Sequence, residues 1–205
     1  MYKTSYFRAK DSKQIMDFMH ANPFVTICGV DEHQQPIAAQ VPVIVVEKNS
    51  KLYIQGHFMR KQDHTIAFEK NSAVLVIFSS PSAYVSASWY PIKNVASTWN
   101  YQSVYCKGNL AFVNNDSLFQ ILDTLTNRFE KNDASEASIH KMTPAYLQST
   151  MKAIVGFEIE VTDVNEVFKL SQNKDAETRN NIVKELLNSN DSSARYIANE
   201  MLKNE

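Results

Sequence analysis

Residues 24–58, FVTICGVDEHQQPIAAQVPVIVVEKNSKLYIQGHF, decide the fold. The first seven, Phe24–Val30, are rich in β-branched side chains and predict a strand. Polar residues 31–36 read as a turn. Residues 37–46 return as a second strand, which makes a hairpin with a longer loop. Asn49, Ser50 and Lys51 turn the chain once more, into a third strand over 52–58. Strands this close in sequence lie antiparallel, because a parallel neighbour needs a crossover of about a dozen residues or more. Pro42 has no N–H to give to a ladder, so the second strand is expected at a sheet edge or a bulge there.

Upstream, residues 12–22 predict a short helix, capped by Asp11 or Ser12, with Ile15, Phe18 and Met19 at helical spacing and an end forced at Asn22-Pro23. Downstream, a helix over 63–70 and a strand over Ala73–Ser79 precede an aromatic, hydroxyl-rich stretch at 83–101, AYVSASWYPIKNVASTWNY. That stretch reads either as two strands with inward aromatics or as the wall of a site for a flat, polar-edged ligand. Residues 98–113 predict a strand kinked at Gly108. Leu118, Ile121, Leu122, Leu125 and Phe129 form one apolar helical stripe, with Asp116 or Ser117 as cap. A polar loop over 131–141, a helix opening at Thr143-Pro144, a strand over 153–161, and two helices over 175–187 and 192–203 complete the chain.

Six or seven mostly sequential strands predict a mainly β (α+β) fold, a closed or nearly closed barrel of consecutive antiparallel strands with flanking helices. The expected organisation is a barrel domain over residues 1–170 and a helical extension over 171–205. The 205 residues carry a net charge of −1, which removes one argument for nucleic-acid binding and leaves a local basic patch open. No apolar run reaches membrane-spanning length, and MYKTSYFRAKDSK lacks a signal peptide's apolar core. Cys28 and Cys106 match no zinc spacing and read as free thiols of a cytoplasmic protein.

Two clusters could carry chemistry. The end of the third strand, Gln55 to His64, gathers Arg60, Lys61, His57 and His64 where a strand gives way to a helix, a place where free N–H groups and cations can hold a phosphate. The aromatic stretch offers Trp89 and Trp99 to flank a ring, with Ser88, Thr98 and Asn100 for its polar edge. Together they describe a phosphorylated heteroaromatic ligand, for which FMN and other nucleotides qualify. No HExxH, CxxC or GxSxG is present, and no catalytic acid or base is assigned.

The order and spacing of NPFVTI, GHFMRKQDH, PSAYVSASWY, STWNYQSV, KAIVGFEIEV and KLSQNK, with the opening MYKTSYF, also resemble the FMN-binding negative transcriptional regulators, the PaiB-like proteins. These are similar to the pyridoxamine-phosphate-oxidase-like split barrels. The resemblance implies a six-stranded antiparallel split β-barrel and a homodimer with FMN at the subunit interface. It implies phosphate contacts from His57, Arg60, Lys61 and His64, and ring contacts from Ser88, Trp89, Thr98, Trp99 and Asn100, some of them across the dimer. Two positions depart from the family pattern: Ser82 stands where many members have histidine, and Gln62 and Asp63 replace an asparagine and a proline. The implied function is flavin-dependent regulation or sensing. The alternative is a flavin reductase or FMN-dependent oxidoreductase, with NAD(P)H as a candidate donor.

Overall fold

The computed structural model describes residues 5–130 and 135–204. The first four residues of MYKTSYF, and residues 131–134 of the polar loop expected over 131–141, lie outside the described residues. In chain order the elements are α1 (Ser12–Ala21), β1 (Phe24–Val30), β2 (Pro36–Lys48), β3 (Lys51–Met59), α2 (Asp63–Lys70), β4 (Ala73–Ser79) and β5 (Ala83–Val85). Then follow β6 (Thr98–Phe112), α3 (Asn115–Glu130), α4 (Pro144–Ala153), β7 (Ile154–Lys169), α5 (Ala176–Asn188) and α6 (Ser192–Lys203). The chain forms two compact units. The barrel unit comprises Met19–Phe78 and Tyr105–Val164; the helical unit comprises the residues up to Phe18, Ser79–Val104, and those from Asn165 onward.

In the barrel unit the strand order β4-β1-β2-β3-β7-β6 closes into a ring through a β4–β6 pairing. The neighbouring pairs β1/β2, β1/β4, β2/β3 and β3/β7 are antiparallel. Alternate residues point inward, as a pleated strand requires: Val25 and Ile27 on β1, Ile54 and Phe58 on β3, Val74, Val76 and Phe78 on β4, and Phe157 and Ile159 on β7 are all buried. Phe58 stacks on Phe157 with ring centroids 4.3 Å apart. Gly56 pairs with Phe157, and a Cβ on it would come within 2.7 Å of that ring, so the glycine makes room for the stack. α3 presents Ile121 and Leu125 to Ile44 and Val113.

Pro42 is neither at an edge nor in a bulge. β2 pairs with β1 from Pro36 to Pro42 and with β3 from Val43 to Lys48, so Pro42 stands where the strand leaves one partner and takes the next. The Val43 N–H goes to the Pro23 carbonyl at 2.8 Å. A residue without N–H wastes no donor at such a hand-over. β6 runs unbroken through Gly108, where a kink was expected; a Cβ there would lie 2.5 Å from the Glu160 carbonyl oxygen, so the glycine permits close approach of β7. The α3 cap is Asn114, whose Oδ1 accepts the Ser117 N–H, in place of Asp116 or Ser117. Phe129, the last residue of the α3 stripe, is exposed.

The helical unit is built on β5 paired with the start of β6, Ala83 to Asn100 and Val85 to Thr98. A 3-10 turn at Ala87–Trp89 separates the two strands. α5 offers Ile182, Val183 and Leu186, and α6 offers Ala194, Ile197, Ala198 and Met201, to Ala83, Val85, Tyr90 and Leu170. Each large aliphatic side chain buried in this way contributes about 1.5–3 kcal/mol. Arg179 ties the ends together, donating Nη1 to the Leu170 carbonyl at 3.2 Å and Nη2 to the Met201 carbonyl at 3.1 Å.

Candidate functional site

Past Val43 and Gly56 the two strands β2 and β3 part, while β3 stays paired to β7 as far as Met59. The split opens a cleft of about 480 Å³ between residues 38–42 on one side and His57–Met59 on the other, with Gln62 and His64 beside it. His57 and His64, seven residues apart, are thus brought to one concavity by the strand-to-helix turn. The His57 Nδ1 is buried and has no hydrogen-bond partner. Burial pushes its pKa below the ordinary histidine value, so the ring is neutral at pH 7. His64 is lowered as well, chiefly by burial and with partial opposition from Asp63. Its ring sits edge-on to Phe58 at 5.0 Å.

α2 begins at this cleft. Its N-cap, Gln62, makes no side-chain capping bond, so the helix start retains free N–H groups. The Thr65 hydroxyl donates to the Met59 carbonyl at 2.8 Å and pins the first turn to the end of β3. Lys61 adopts the left-handed region, φ 60°, which sharpens the turn. Arg60 is exposed and does not line the cleft; it lines a second cavity, against α4. Of the four phosphate-side residues read from the sequence, His57 and His64 line the cleft.

The ring-side residues belong to the helical unit. Trp99 is 54% exposed and Tyr84 50%, and the two rings meet edge-on at 5.8 Å. Tyr90, by contrast, is buried, so the stretch is neither wholly core nor wholly surface. Trp89 is partly buried against the α5–α6 core. The Ser88 hydroxyl lies 2.8 Å from that of Ser86, whose oxygen also accepts the Ser88 N–H. Thr98 is bonded through its hydroxyl by Lys169. Asn100 has no exposed surface: its Nδ2 donates to the Ser171 hydroxyl at 2.9 Å, and that hydroxyl donates back to its Oδ1 at 3.1 Å. Among the described residues no group of three or more His, Cys, Asp or Glu could hold a metal ion.

Sequence reasoning missed Gln40 and Pro42 as cleft residues and the α4 side of the Arg60 cavity. The available signal for the second lay in α4, where Pro144, Leu147, Gln148, Met151 and Lys152 recur at the spacing of one helix face.

A closed antiparallel barrel split between two strands, with helices alongside, defines the split-barrel class of flavin-binding proteins. Residues 1–163 match the family described as "Putative FMN-binding domain", and the chain belongs to that family. It is 35% identical over 201 residues to protease synthase and sporulation protein PAI 2 of Bacillus subtilis, covering 98% of this chain and 96% of that protein. Two solved structures share the fold. The FAD and heme binding protein from Mycobacterium smegmatis superposes with a TM-score of 0.63 at 17% identity, over 83% of this chain and 77% of that one. The flavocytochrome Anf3 from Azotobacter vinelandii gives 0.55 at 12% identity, over 82% and 72%. No helix among the described residues is long and apolar enough to cross a membrane.

Proposed function

We propose that this chain holds FMN in the cleft between β2 and β3 and acts as a flavin-dependent regulatory or sensing protein. The observation that carries the reading is the buried, unpartnered Nδ1 of His57 at the point where the two strands part. A buried polar atom left without a partner costs about 1–3 kcal/mol, and a ligand that supplies the missing bond recovers it. Neutral imidazoles at 57 and 64 suit a heteroaromatic ligand with both donors and acceptors on its edge. Lys61 and the free N–H groups at the start of α2 would take the phosphate. Bound FMN would supply the redox chemistry; the chain would bind, orient and shield it.

The ring-side residues Ser88, Trp89, Thr98 and Trp99 are assigned to a homodimer, in which the exposed Trp99 of the partner subunit reaches the flavin. Asn100 supports this surface from beneath through Ser171. Residues 171–205 are read as a helical extension serving the same surface.

Titration of the purified chain with FMN, followed by its visible spectrum, tests the reading. A yellow complex at micromolar FMN is expected, with His57→Leu weakening it about tenfold, in line with a lost hydrogen bond to a buried group. Lys61→Ala should weaken FMN more than riboflavin, and equal losses would remove the phosphate from Lys61. Absence of any complex would overturn the proposal. Rapid turnover of NADH or NADPH by the complex would replace the sensor with a reductase.

A further inference from the structure

The cavity beside Arg60 is about 540 Å³, comparable with pockets that hold small organic ligands. It lies wholly in the barrel unit. Its polar groups are the Arg60 guanidinium, the Lys152 ammonium and the carboxamides of Asn115 and Gln148; Leu147 and Met151 are the larger part of its apolar wall. No carboxylate lines it. Neither the Arg60 nor the Lys152 side chain makes an ion pair or hydrogen bond among the described residues, whereas Lys13, Lys48, Lys51, Lys107, Lys141 and Lys203 each face a carboxylate. α4 itself carries no acidic residue and buries none of its side chains, so its Leu147–Met151 face is partly uncovered. The Arg60 N–H donates to the Ala153 carbonyl at 2.9 Å, which fixes the turn after β3 to the end of α4 and holds the two cations at one mouth.

We propose that this cavity is a second binding site, for an organic acid: a carboxylate met by Arg60 and Lys152, and an apolar body laid along Leu147 and Met151. The chemistry follows from the lining. Two unpaired cations over an apolar wall favour an anion with a hydrophobic tail or ring over a bare inorganic ion, which would leave Leu147 and Met151 uncovered, and over any cation. The site stands independently of the flavin reading, because it shares no lining residue with the β2–β3 cleft. Taken with that reading, it gives a regulatory protein a place for an effector.

The test uses the full chain saturated with FMN and the fluorescent anion 8-anilinonaphthalene-1-sulfonate. One saturable site per chain is expected, with displacement by decanoate and none by decyltrimethylammonium. Lys152→Glu should weaken the probe at least about tenfold, the size of a lost charge-assisted contact, while Lys152→Arg retains it. Lys152 is exposed, so the thermal melt of both variants should match that of the unsubstituted chain. The proposal is overturned if the probe fails to bind, if Lys152→Glu binds as well as the unsubstituted chain, or if the cationic detergent competes as well as decanoate. Running the titration without FMN keeps the two sites apart. A probe that FMN displaces belongs to the cleft and also overturns the proposal, whereas a chain that binds the probe but no FMN loses only the flavin reading.

Discussion

His57 concentrates the chemistry of the cleft in one side chain. Its folded-state pKa lies below the ordinary value of 6.5, because burial disfavours the charged ring. Above pH 6.5 the ring is neutral whether the chain is folded or not, so it exerts no pH-dependent effect. As pH falls below 6.5 the unfolded chain takes up a proton that the folded chain refuses, and stability declines until the lowered folded value is passed. His57→Gln should therefore flatten the fall in melting temperature as pH drops below 6.5, and an unchanged pH profile would deny the burial. The pairing of His57 with His64 was legible in the sequence, since a strand end and the first turn of a helix bring residues seven apart to one mouth. The divergence of Arg60 was not. Its direction is set by the positive φ of Lys61 and by a bond to Ala153, far along the chain, neither of which has a local signature.

Among the elements, strands and helices followed their periods closely: β1 and β4 coincide with the expected segments, and α6 ends at Lys203 as read. What periodicity could not give is partnership. Pro42 was legible as an interruption, but its meaning depends on β1 stopping where β3 starts, a property of three strands together. Gly108 likewise signals a special position, and only the neighbouring β7 carbonyl shows that the need is for space. The α5–α6 pair illustrates the opposite case, since its spacing alone marks the buried face. Ile197, with no exposed surface, should cost about 2–5 kcal/mol when replaced by alanine, measured by chemical denaturation. Phe58→Ala, which removes one ring of the stack with Phe157, should cost about 3–5 kcal/mol and also lower FMN affinity, because Phe58 lines the cleft.

For the whole molecule, the sequence carried the barrel and the family, and each of the two compact units draws on separate stretches of the chain. The helical unit draws on three separate stretches, and its core places Ala83, Val85 and Tyr90 against helices from the last thirty or so residues. A chain ending at residue 170 should therefore expose that core and aggregate; a soluble, cooperatively melting fragment would show that the extension is dispensable. The exposed pair Tyr84 and Trp99 carries a prediction for the homodimer proposed above: Trp99→Ala should move its sedimentation toward the monomer, and sedimentation unaltered by the substitution would take Trp99 out of that proposed interface.

The late place of β7 in the chain has a consequence for folding during synthesis. β3 and β6 both wait for β7 as a neighbour, and β7 begins only at Ile154. At a synthesis rate of about 5–20 residues per second, roughly 100 residues separate the emergence of β3 from that of its partner, so the strand spends several seconds with one edge unpaired on the ribosome. A chaperone that shields open β edges would find its substrate in that interval, and slowing translation between β3 and β7 should lower the yield of folded protein.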